Sequence, residues 1–207
     1  MSSRPRASAR AGVRLEAISR DVLDGVLQAD ADAPQREHVD LCVLPWFSDE
    51  RPLQGVLGLL DWRGDGCLSD LARGGYASGA WDEAVLLPAR RGMPAARLLL
   101  LGCGPRADFG EDLAEQVGAR VARAALGLRP ASVLLAMPSV AGERDVLESL
   151  FSGMLRGLED ESRSAPASFM TTPPHRWWVV VEERHLARLR RLLDGPLRAA
   201  LETSSSS

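Results

Sequence analysis

Residues Arg97 to Pro105 read RLLLLGCGP. An apolar run this short, closed by glycines, has no polar residue to turn toward water. It therefore predicts a strand buried on both faces of a sheet, at a central position. A chain holding such a strand needs a layer of structure on each side of it, and this limits the fold more than any other feature.

The remaining segments supply those layers. Gly12 to Ile18 alternates Val13, Leu15 and Ala17 with Arg14 and Glu16, the period of a half-exposed strand. Val39 to Trp46 (VDLCVLPW) is a second buried strand, expected to stop at Pro45. In Pro52 to Trp62, Leu53, Val56, Leu57 and Leu60 share one helical face. A short helix over Cys67 to Arg73 precedes Gly74 and Gly75, and Glu83 to Pro88 is a third strand. The connection from there to the leucine run is short, which predicts an antiparallel pair, since a parallel one requires a crossover.

Beyond Pro105, Asp108 and Glu111 are spaced as an N-cap pair, and Leu113, Val117, Val121 and Leu128 continue a helical stripe to Gly127. Ala131 to Pro138 is the next buried strand. Val146, Leu147, Leu150, Phe151, Met154, Leu155 and Leu158 mark a helix, and Ser162 to Pro174 is a Ser/Thr/Pro-rich loop. Trp177 to Val181 is the last strand, and Leu186, Leu189, Leu192 and Leu193 a final helix. The fold class is α/β: three α/β/α layers around a mixed, mostly parallel sheet with right-handed crossovers. The expected organisation is one domain over residues 12–201, between disordered tails at 1–11 and 202–207.

Composition narrows the chemistry. The chain has 207 residues and a net charge of −3, all 25 basic residues are arginine, and asparagine is absent. Lysine-dependent chemistry is thereby excluded from these residues, and no strong field favours nucleic acid or a membrane. No apolar run reaches the length of a membrane span, so the cytoplasm is the expected location. Cys42, Cys67 and Cys103 are widely spaced and read as buried core thiols.

Candidate sites are few. The Gly102–Gly104 turn could cradle a phosphate, but Ala107 stands where a third glycine would be and Pro105 removes an N–H, so a plain tight turn is favoured. Asp61, Asp65 and Asp70 lack the spacing of a calcium loop. His38, His175 and His185 lie in separate segments without metal-ligand spacing. No G-x-S-x-G elbow is present. Arg184, Arg188 and Arg191 form a stripe on the last helix, favoured as a solvated face over a phosphate-binding one. Trp177 and Trp178 must point to opposite faces of their strand, one into the core and the other toward a covering helix or a partner surface. No catalytic residue, metal site or cofactor is expected.

Taken in order, VDLCVLPW, the stretch LLDWRGDGCLSDLARGGYASGAWDEAVLLPARRGMPAARLLLLGCGP, the Ala-rich helix, ASVLLAMP, the helix with Phe151, Gly153 and Met154, and WWVVVEE resemble the N-terminal domain of the leucyl aminopeptidase family. The resemblance runs from Gly12 to Leu201 and implies a macro-domain-like fold. In that family the peptidase chemistry belongs to a separate C-terminal domain, with two metal ions held by carboxylates and a lysine. The chain has no lysine and lacks the family's N-T-D-A-E-G-R-L segment. The resemblance therefore implies a stand-alone, non-catalytic relative acting in protein interaction, regulation or assembly. The family's N-terminal domain helps organise a hexamer, so self-association or association with a full-length aminopeptidase is the expected partnership. Its macro side implies an alternative, binding of ADP-ribose or another nucleotide. The loops involved would be Phe47 to Gln54, acidic and without glycine, and Ser139 to Gly142, with Ser139 and Gly142 as the ligand-binding candidates. A third reading, DNA association, is disfavoured by the charge.

Overall fold

The computed structural model describes residues 13–19, 39–90, 93, 95–138, 144–164 and 175–194. Six strands form one sheet in the order β1-β6-β5-β2-β4-β3. They are β1 (Val13–Ser19), β2 (Val39–Trp46), β3 (Ala84–Pro88), β4 (Ala95–Gly102), β5 (Ser132–Ala136) and β6 (His175–Val181). The helices are α1 (Gly55–Arg63), α2 (Cys67–Arg73), α3 (Glu111–Gly127), α4 (Arg144–Ser164) and α5 (Glu183–Asp194). All pairings are parallel except β3 with β4. The α/β class and the antiparallel pair are as the sequence implies.

Apolar runs without alternation still alternate between two cores. Leu41, Val43, Leu99, Leu101, Val133, Leu135, Trp177 and Val179 face a layer built by α3, α4 and α5. Their neighbours Cys42, Leu44, Leu98, Leu100, Leu134 and Val180 face α1 and α2. A strand buried on both sides must be apolar at every position, and this is why the runs carry no period of two.

Several boundaries differ from expectation. The leucine run is interior but not central: β4 lies next to the edge strand β3, and β2 and β5 occupy the middle. Pro45 does not stop β2, which runs on through Trp46. The pairing of β2 with β5 covers only Leu41 to Val43, so Pro45 sits beyond the point where a second neighbour would need its N–H. Helix α1 begins at Gly55, leaving Leu53 buried ahead of it. The N-cap of α3 is Gly110 with no side-chain cap, while Asp108 belongs to a 3-10 turn over Arg106–Asp108. Glu111 and Asp112 then supply negative charge to the first turn of α3, where the helix dipole favours it. Helix α4 extends to Ser164, into the stretch expected as loop. Both expected tails lie outside the described residues.

The edge strand is blunted. Glu83 accepts from the Gly102 N–H and the Ala89 N–H donates to Ala96, so the alternate residues Ala84, Leu86 and Pro88 direct their backbones away from β4. Proline at the last of these positions removes one donor that an added strand would need.

Candidate functional site

Parallel α/β sheets place their ligand sites outside the C-terminal ends of the strands, where the strand order reverses. Here that point lies between β2 and β5, since the chain leaves β2 toward β4 and returns across it to β5. A cleft opens there, lined by Gly55 and Val56 at the start of α1, Met137 and Pro138 after β5, Leu147 of α4, Val181 and Glu182 at the end of β6, and His185 of α5. It encloses about 10 Å³, room for about one water molecule. Apolar walls, with only Glu182 after β6 and His185 of α5 as titratable lining among the described residues, give it little polar chemistry. His185 receives the Nε hydrogen of Arg184 at 3.1 Å, and Arg184 also pairs with Glu182 at 2.8 Å.

Beside the cleft, the loops after β2 and β4 are tied together. Phe47 is buried and meets Phe109 edge-on at 4.9 Å, while the Arg106 guanidinium lies 4.9 Å from the Phe47 ring. Glu50 is 5% exposed. Its carboxylate accepts from the Gln54 N–H at 3.1 Å and lies 3.4 Å from Arg106. Burial raises the Glu50 pKa, opposed by the positive charge of Arg106 and the Gln54 hydrogen bond. The Arg106 N–H donates to Asp49 at 2.9 Å, and Ser48 donates to the Gly104 carbonyl at 2.9 Å.

The Gly102–Gly104 turn is the tight turn favoured from sequence. Its three N–H groups go to Glu83, Trp46 and Gly79 in that order, so they are already engaged and present no phosphate cradle. A Cβ on Gly102 would lie 1.9 Å from the Ala80 carbonyl oxygen, and Gly104 has a φ of +73°. Arg120 of α3 braces the same place, donating to the Gly102 and Glu83 carbonyls at 2.9 and 2.6 Å.

The residues singled out from sequence do not converge on the cleft. Ser139 and Gly142 lie outside the described residues. Trp177 is core, and Trp178 is half-buried against the α1/α2 core, with Arg176 at 5.8 Å from its ring. On α5, Arg188 pairs with Glu148 of α4, Arg184 with Glu182, and the Arg191 Nε with the Ala187 carbonyl at 3.3 Å. All three cysteines are buried and free. Among the described residues no group of three or more His, Cys, Asp or Glu is placed to hold a metal. No described helix is long and apolar enough to cross a membrane. Glu50 and Arg106, 56 positions apart, are the pair that sequence reading missed, because no local pattern announces a contact between two loops.

Comparisons with known proteins agree with the fold. A tomato leucine aminopeptidase variant superposes with a TM-score of 0.55 at 15% identity, covering 91% of this chain and 37% of that one. A Trypanosoma brucei macrodomain in complex with ADP gives 0.56 at 13% identity, covering 89% of this chain and 70% of that one. An Oceanobacillus iheyensis macrodomain with ADP gives 0.56 at 16%, covering 88% and 93%. At these identities the likeness establishes the fold alone. A probable cytosol aminopeptidase of Halorhodospira halophila is 29% identical over 114 residues, which are 55% of this chain and 23% of that protein. The N-terminal domain of the cytosol aminopeptidase family matches residues 43–164, more than half of the chain. The chain therefore belongs to the cytosol aminopeptidase family, through that family's N-terminal domain.

Proposed function

We propose that this domain works as a protein-interaction, regulatory or assembly module of its family and performs no catalysis itself. The observation that carries this reading is the small cleft that the described residues leave at the ligand end of the sheet. The cleft is about 10 Å³, against the several hundred Å³ of a typical small-molecule site, and the neighbouring glycine turn spends its donors on its own chain. Exposed aromatic surface supports the same reading: Trp62 and Tyr76 are 76% and 75% exposed, and such side chains are enriched at protein-binding hot spots. The partner is a second copy or a full-length aminopeptidase, and the setting is the cytoplasm.

The test is co-purification from the native cell, followed by light scattering of the purified chain alone and mixed with a full-length aminopeptidase. A chain that stays monomeric and retains no partner overturns the proposal. So does release of leucine from a chromogenic amide, with manganese or zinc, above a heat-killed control. A second reading, binding of ADP-ribose or a related nucleotide, draws on the macrodomain-like fold and on the position of the cleft at the reversal of strand order. Calorimetric titration with ADP-ribose separates the two: saturable binding supports the nucleotide, silence the interaction module. DNA association is the weakest reading, because the net charge is −3 and the α5 arginines, the candidate phosphate contacts, are already engaged within the fold.

A further inference from the structure

Glu50 is out of place in a loop. A carboxyl group that is 5% exposed loses its hydration, and an ionised one must be compensated from within the protein. The charged and titratable groups around it are Arg106 from the turn after β4, Arg51 and Asp49 from its own loop, and the thiol of Cys103 at the end of β4. Arg106 is itself one third exposed, so water screens part of its attraction. Asp49 opposes ionisation, and Arg51 is drawn away over the Trp46 ring at 4.9 Å while its guanidinium donates to the Glu50 carbonyl. Glu50 also anchors the chain ahead of α1 through the Gln54 N–H. The next two residues, Gly55 and Val56, are a wall of the cleft.

We propose that Glu50 makes the Phe47–Gln54 loop a pH-responsive gate on the cleft: seated when the carboxyl is neutral, released more often when it is ionised, with Arg106 as the counter-charge that moderates release.

The direction follows from linkage. The seated loop favours the neutral acid, because burial raises the Glu50 pKa above its ordinary value. The released loop exposes the carboxyl to water, where it titrates in the ordinary carboxylate range. Opening is therefore least frequent below that range and increases with pH. It levels off above the raised pKa of the seated state, and each unit between the two titrations increases opening about tenfold.

Hydrogen exchange of the full chain, read by mass spectrometry from below the ordinary carboxylate range up to about pH 8, tests this once each rate is divided by its intrinsic chemical rate. Opening of a peptide covering residues 47–57 should increase with pH in the wild type, while a reference peptide in α3 stays flat. Glu50→Gln keeps the acceptor oxygen and the shape but cannot ionise, so its loop should stay seated at every pH. Arg106→Gln should match the wild type at the acid end and open more at neutral pH. A wild-type profile as flat as the reference overturns the proposal, as does a Glu50→Gln profile that follows the wild type. Should Glu50→Gln fail to fold, Arg106→Gln decides alone: no excess opening at neutral pH overturns it.

Discussion

Gly102 shows how one residue can look functional and be structural. In sequence, a glycine pair after a buried strand suits a phosphate loop, and only Pro105 and Ala107 argue otherwise. In the fold, the Ala80 carbonyl occupies the space a side chain would need. Gly102→Ala must therefore push backbone against backbone, and overpacking of this kind costs about 1–3 kcal/mol. The melting temperature should fall by roughly 2–4 °C for each kcal/mol, as differential scanning calorimetry would show; an unchanged value would mean that the backbone at Gly79 and Ala80 yields freely. The cysteines allow a second test at this scale. Burial holds the Cys42 and Cys103 thiols at about 12, so at about pH 8 roughly one in ten thousand is thiolate. Iodoacetamide should leave both unmodified in the native protein and label them in denaturant, as peptide mass spectrometry would show. Rapid native labelling of Cys103 would mean that the end of β4 opens.

At the scale of elements, helices α3 and α4 approach through glycine. A Cβ on Gly118 would fall 1.9 Å from the Leu150 carbonyl oxygen, and one on Gly153 would fall 2.0 Å from that of Glu115. One on Gly157 would fall 2.8 Å from the Ala119 carbonyl oxygen. Glycine in a helix interior costs about 1 kcal/mol relative to alanine, so its presence on both helices at the contact has a packing reason. Gly118→Ala and Gly153→Ala should each destabilise despite the gain in helix propensity, by about 1–3 kcal/mol in urea unfolding. Gly127→Ala, with no atom near its Cβ position, should be neutral or stabilising by up to about 1 kcal/mol. Equal effects at all three positions would refute the close-contact argument. Sequence periodicity located both helices, because Val117, Val121, Leu150 and Met154 repeat with the helical turn. It could not reveal how closely they approach, since glycine is silent in any apolar pattern.

For the molecule as a whole, strand identity was legible and strand order was not. The runs in β2, β4 and β5 are equally apolar because each lies between two cores, so composition cannot rank them from centre to edge. Order is decided by where the crossovers land, and that placed β4 beside the edge. The antiparallel β3–β4 pair was readable because connection length alone excludes the alternative. Of the candidate site, sequence reading found the acidic loop after β2 but not the burial of Glu50, which requires the turn after β4 to close over it. One sheet shared by two cores makes a prediction about cooperativity. Trp46 belongs to the α1/α2 core and Trp177 to the opposite one, while Trp62, Trp81 and Trp178 are less buried. Variants that keep only Trp46 or only Trp177, with phenylalanine at the other tryptophans, report each core separately by fluorescence. Every strand from β6 to β4 contributes side chains to both cores, so neither can come apart without exposing the back of the other. Both reporters should share one urea midpoint, which should coincide with loss of the far-ultraviolet dichroism once each variant is compared with its own signal. Midpoints that differ between the two probes would mean that one helical layer detaches while the sheet and the other layer persist, and that the 12–201 stretch does not behave as a single cooperative domain.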